Sequence, residues 1–293
     1  MEGRQPSLGL LGEDERVTGW STTVAGVVAV LALVGSCTSD DDPDPAPSAS
    51  ASPAPQAGPP PEPPEPGSCH RLTYEEALAP TDASRPVACG KPHTSETYAV
   101  GRLQTELDGH LLAVDSAAVQ AQVAERCPDG LGRYVGATEE QLRLSMLRAV
   151  WFTPSVEESD AGANWFRCDV IAIAGEDRLA KVRGMLKGLL ATPVGRTSYA
   201  MCGTAEPGTP EFERVPCGEE HSWRAIRSVT LEGKGGSATY PGEDAVRQAG
   251  QSPCAEAARE IAEDALDYEW GYEWPTEEQW KAGQTYGRCW APD

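Results

Sequence analysis

Eight cysteines, at positions 69, 89, 127, 168, 202, 217, 254 and 289, constrain this chain more than any other feature. They divide into two sets of four with matching surroundings. Val87-Ala88-Cys89-Gly90-Lys91-Pro92-His93 runs beside Val215-Pro216-Cys217-Gly218-Glu219-Glu220-His221. Ala118-Val119 stands before Cys127 as Ala245-Val246 stands before Cys254, and Pro154 precedes Cys168 by as many positions as Pro275 precedes Cys289. Recurrence of this kind implies two copies of one structural unit.

A ninth cysteine, Cys37, ends an apolar run, Val24–Val34 followed by Gly35-Ser36. An aliphatic residue, two small residues and then Cys resemble a bacterial lipobox, in which the Cys carries the lipid. The alternative is an uncleaved anchor over about residues 17–36. Both place the rest of the chain on the extracytoplasmic face of the membrane. Residues 38–68 then form a Pro-, Ala- and Ser-rich linker without aromatic residues, a composition that stays extended rather than packing a core. The organisation expected is a signal peptide with lipobox, or an anchor, over 1–37, the disordered linker over 38–68, and two repeats over 69–195 and 196–293.

Outside the membrane cysteines pair. Eight allow 105 connectivities; requiring the same pattern within each repeat leaves three. The favoured one joins Cys69 to Cys89, Cys127 to Cys168, Cys202 to Cys217 and Cys254 to Cys289. The short loops suit neighbouring strands, and the long ones tie a main helix to a final strand. A metal is the alternative, because Cys89-x3-His93 and Cys217-x3-His221 bring two ligand types together. The lack of a Cys-x2-Cys pair and the export signal argue against it, so no metal or cofactor is expected.

The fold class is α+β: two tandem homologous small domains, each a mainly antiparallel sheet with one main helix and a short capped helix, braced by disulfides. Alternation places strands at Glu96–Leu103, Leu144–Phe152, Phe166–Ala174 and Arg224–Leu231. Helices are expected at Ser116–Arg126, Leu179–Leu190 and Cys254–Leu266. Ser155 with Glu158, and Thr276 with Gln279, form capping boxes after a proline, and Gly162 and Gly283 supply left-handed stops. The Leu179–Leu190 helix is expected to pack at the junction, with the boundary near Thr192–Ser198.

A formal charge of −21 argues against nucleic acid and against anionic lipid as partners. No nucleophile elbow, zinc-protease or phosphate-loop motif is present, and the chain is expected to be non-catalytic. His93 and His221 recur at one place, and bonding backbone at a strand start is the simplest reading of both. They are kept as candidate binding residues. His70 and His110 have no counterparts and are expected at the surface. Half of the eight tryptophans lie between Tyr268 and Trp290. Buried, most of these rings are the core of a small disulfide-braced domain; exposed, they stack on sugars or anchor a protein, and Trp270 and Trp274 are the candidates for exposure and binding.

Val87, Cys89, Pro92, His93 and Glu96 early, and Pro275, Thr276, Trp280, Gly283 and Cys289 late, resemble the septum-formation domain family of high-GC Gram-positive bacteria. The second repeat departs with Glu220 before His221 and Arg224 in place of the Glu, and the first lacks a Trp at the position of Trp280. The resemblance implies an exported or membrane-anchored protein with paired cysteines and a link to division. The expected function is a membrane-held, non-catalytic module that binds a wall glycan or a division protein. A scaffold without a small ligand is the second reading, and an enzyme with an unrecognised site the third.

Overall fold

The computed structural model describes residues 60–236 and 238–293. The leader or anchor, Cys37 and the linker up to residue 59 lie outside the described residues.

Two antiparallel five-stranded sheets are present. The first runs in the order Cys69–His70, Ser95–Arg102, Trp165–Gly175, Leu147–Phe152, and Arg178–Leu179 pairs with the end of the long strand. The second runs Gly271–Glu273, Tyr286–Pro292, Trp223–Thr230, Met201–Gly203, Arg214–Pro216. Corresponding strands keep one register. Cys168 faces Trp151 on one side and Ala99 on the other; Cys289 faces Tyr272 and Arg227. A bulge falls between Thr97 and Ala99 in one half and between Ala225 and Arg227 in the other, the same distance after His93 and His221.

The four disulfides join Cys69 to Cys89, Cys127 to Cys168, Cys202 to Cys217 and Cys254 to Cys289, with Cα–Cα distances of 5.3, 5.4, 5.0 and 4.9 Å. This is the favoured pattern, and two of the bonds fasten a helix to an interior strand. The helix Ala117–Val135 buries Val119, Val123, Cys127, Leu131 and Val135, one residue every fourth position. The sequence reading ends this helix at Arg126, two residues before Pro128. The buried stripe carries the helix past Pro128, and Gly136 (φ 73°) closes it. In the second half the helix Gln251–Ile261 is preceded by Glu243–Ala249. Gly250 between them has no substitute, because a Cβ there would lie 1.9 Å from the Tyr272 ring.

The four expected strands are present within three residues of their expected ends. Both expected capping boxes form, at Ser155 with Glu158 and Thr276 with Gln279, and two more form at Thr73 with Glu76 and Thr138 with Gln141. Gly162 (φ 98°) and Gly283 (φ 93°) adopt the left-handed conformation.

The expected helix Leu179–Leu190 is absent. Its segment begins in a strand, bridges Val182 to His93 and ends in a single 3-10 turn at Leu189–Ala191. Gly184 and Gly188 have φ of 80° and 69°, which turn the chain where a helix would continue. Val182, Leu186 and Leu190 still reach one core with Leu131, Val135, Leu147 and Val170. The apolar spacing therefore reflects burial, and the glycines decide the backbone.

The two halves meet through packed side chains, and residues 60–293 lie in one compact unit. Met146 packs with Met201, Trp223, Ala225 and Trp290. Met146 N–H donates to the Tyr199 carbonyl and Met201 N–H to that of Leu144, both at 2.8 Å. Glu140 accepts from Ser228 N–H at 2.7 Å, and Arg143 donates to Thr230 Oγ1 at 3.0 Å. The stretch expected as a boundary is the helix Pro193–Ser198, capped by Thr192. A shared core predicts one cooperative transition. Met201→Ala is expected to lower stability by about 2–5 kcal/mol while calorimetry still records a single thermal peak. Two separated peaks would contradict this.

Candidate functional site

The aromatic stretch of the second half divides into buried and open rings. Trp290 is fully buried and donates from Nε1 to Glu273 Oε2 at 2.9 Å. Trp280, also buried, donates to the Ala238 carbonyl at 2.7 Å. Tyr272 is buried with its hydroxyl on the Val246 carbonyl at 3.0 Å. Tyr268 and Trp270 are half-buried, and Trp274 is half-buried against Tyr272, with ring centroids 5.8 Å apart. Trp270 and Trp274 both pack on the cluster built from Cys254, Tyr272 and Cys289. The disulfide thus supports one side of each ring and leaves another open.

Two depressions lie on this half. One, of about 290 Å³, is lined by Glu206, Trp223, Tyr268, Glu269 and Trp270. The other, of about 490 Å³, is lined by Tyr240, Trp280, Lys281 and their neighbours. Sequence reasoning found Trp270 through aromatic density. It missed Trp223 and Glu206, which reach the first depression from distant segments. Gly271 permits that approach, because a Cβ there would stand 3.0 Å from Pro207.

The two recurring histidines make the same contact. His93 Nδ1 lies 2.9 Å from the Lys91 carbonyl, and His221 Nδ1 lies 2.7 Å from that of Glu219. Each imidazole thereby pins the turn two residues before it. His93 is 1 % exposed, so it is closed to a ligand from solvent. His221 is more open, and its Nε2 lies 2.9 Å from Asp293 Oδ2, which Arg224 also holds at 2.6 Å. Arg224 holds the Asp293 carboxyl below the usual carboxylate range, and His221 adds to the effect. Both histidines make local structural contacts, and neither lines the depression at Trp270.

Cys202 and Cys217 cluster with His221, and Cys69 with His93 and Glu96, each within 4.8 Å. In both clusters the sulfurs are spent in disulfides, which removes the thiolates a metal would need.

His70 is buried at 2 % exposure, not at the surface. Its Nδ1 lies 2.9 Å from Ser84 Oγ and its Nε2 3.1 Å from Ser68 Oγ. It sits in a buried charge network. Arg167 donates to Asp82 Oδ2 at 2.7 Å, and its Nε lies 2.9 Å from Asp169 Oδ1, an ion contact whose N–H is not aligned as a hydrogen bond. Ser95 and Thr97 donate to the two Asp169 oxygens at 2.5 and 2.8 Å. Glu96, fully buried, accepts from Tyr134 hydroxyl and from Leu186 N–H at 2.6 Å. A buried carboxylate is costly unless bonded in this way. These residues come from segments far apart in the chain, and apart from Glu96 no local pattern announces them. His110, by contrast, is exposed as expected.

One family model, described as septum formation, matches residues 66–289 in a single stretch across both halves. The match spans most of the chain, and the chain belongs to that family. No curated protein and no solved structure matches it.

Burial first, and Arg167 second, push the His70 pKa below its ordinary value, against the pull of Asp169 and Asp82. The unfolded chain therefore binds the additional proton more readily. The stability that neutral His70 contributes is complete above about pH 6.5 and falls as the pH drops below it, by at most about 1.4 kcal/mol per pH unit. Urea unfolding at about pH 7.5 and about pH 5 is expected to show a larger loss on acidification for the wild type than for His70→Gln. An equal loss in both would contradict the assignment.

Proposed function

We propose that this septum-formation family member is a membrane-held, extracytoplasmic and non-catalytic module that binds an envelope or division partner through the open aromatic rings of its second half. The observation that carries the reading is the rigid mounting of Trp270 and Trp274 on the Cys254–Cys289 disulfide with part of each ring exposed. Fixed aromatic rings bind with little loss of conformational freedom. Four disulfides fit an oxidising compartment. No helix among the described residues is long and apolar enough to cross a membrane. The lipobox-like Cys37 supports a lipid, and the Pro-rich linker supplies reach. The recurrence of strand order, register and disulfides supports two copies of one unit. Binding is favoured over catalysis because His93 is closed off from solvent and the His221 imidazole is engaged at both nitrogens.

A C-terminal tag that fluoresces outside the membrane tests the division role. Enrichment at the septum is expected, and a uniform envelope signal would contradict it. For the anchor, Cys37→Ala is expected to shift the protein out of the membrane fraction and to abolish the mass of an attached diacylglycerol. Full retention would favour an uncleaved anchor.

A further inference from the structure

We propose that the depression between Glu206 and Trp270 is a cage for the ammonium or guanidinium head of a basic side chain carried by a protein partner. The proposal rests on the reading of the second half as a binding surface and names what it binds.

Three aromatic residues, Trp223, Tyr268 and Trp270, line the depression together with two acidic residues, Glu206 and Glu269. Aromatic rings attract cations through their quadrupole, and a nearby carboxylate adds direct attraction. Both glutamates are exposed, and neither has a Lys, Arg or His partner within 4.0 Å among the described residues. Other acids of the region are neutralised internally: Glu273 by Arg214, Glu260 by Arg227 and Glu277 by Lys281. Glu263, Asp264 and Asp267 add further acidic charge in the segment just before Glu269. No basic residue occurs between Arg259 and Lys281.

The walls are fixed before any ligand arrives. Trp223, 8 % exposed, packs on the shared core of the two halves, and its indole N–H bonds no described residue. Trp270 packs against the Cys254–Cys289 cluster. The Glu206 turn is held against the strand Gly271–Glu273 through Pro207 and Gly271. A volume of about 290 Å³ lies at the small end for ligand sites and suits one side-chain head rather than an oligosaccharide. A neutral sugar would stack on a ring and hydrogen-bond the carboxylates without using their charge. A flexible basic segment meets both demands, and the chain's charge of −21 favours its approach.

The test uses the full chain in detergent and reads tryptophan fluorescence and calorimetric heat. The probes are a tri-lysine peptide, its side-chain-acetylated counterpart and purified wall glycan fragments. Tri-lysine is expected to bind and the acetylated peptide to bind at least roughly tenfold more weakly. Glu269→Gln, Glu206→Gln and Trp270→Ala are each expected to weaken tri-lysine by roughly three- to tenfold. Glu278→Gln, an exposed acid outside the cage, is expected to change it little. The two Glu→Gln changes are at exposed positions and keep the test open if Trp270→Ala proves unstable. Equal binding of both peptides, or equal loss in Glu278→Gln, would overturn the cage. Wall glycan binding that depends on Trp270, with tri-lysine silent, would overturn the cation and leave the binding reading standing. Silence toward all three probes, with septal placement unchanged in Trp270→Ala, would overturn both.

Discussion

In each half one disulfide ties a helix to an interior strand of the sheet, and the rest of the structure follows from that tie. Cys127 on the helix Ala117–Val135 reaches Cys168, and Cys254 on Gln251–Ile261 reaches Cys289. Both strand cysteines have paired neighbours on either side. The bond therefore fixes helix height and register against the sheet together. Each bridge contributes about 3 kcal/mol by limiting the unfolded chain. That is a substantial share of the about 5–15 kcal/mol that holds an ordinary domain. A helix crossed by Pro128 and containing Gly130 and Gly132 would be a poor one alone. Held at Cys127 and buried along one stripe, it continues to Val135.

Much of this was legible in the sequence because the information was local or repeated. The strands alternate, the capping boxes need only residues three apart, and the paired motifs around Cys89 and Cys217 announced a common pattern. The failures have physical causes. Leu179–Leu190 carries apolar residues at helical spacing, yet Gly184 and Gly188 take positive φ and let the same residues reach the core from turns. His70 looked superficial because its partners Ser84 and Asp82, and the Arg167 that holds Asp82, come to it only through the fold. At the candidate site, Trp270 stood out by composition, whereas Glu206 and Trp223 join it only through the fold.

The two halves place their charged and aromatic residues differently. The first folds its charges inward: Asp82, Arg167 and Asp169 satisfy one another, and Glu96 is capped by Tyr134 and Leu186. The second keeps Trp280 and Trp290 inside and leaves Trp270 and Trp274 partly open over a disulfide-backed cluster. The core of Met146, Met201, Trp223 and Trp290 couples them, so the first half steadies the wall on which Trp223 sits. Membership of the septum-formation family covers both halves as one unit, consistent with that shared core.

The most direct test of the account is the disulfide map. Non-reduced protein, digested under acidic conditions that prevent exchange, would be analysed by mass spectrometry. The account requires linked peptides joining Cys69 to Cys89, Cys127 to Cys168, Cys202 to Cys217 and Cys254 to Cys289. A pair crossing between the halves, or Cys127 and Cys254 recovered as free thiols, would contradict the tie from which the fold is derived.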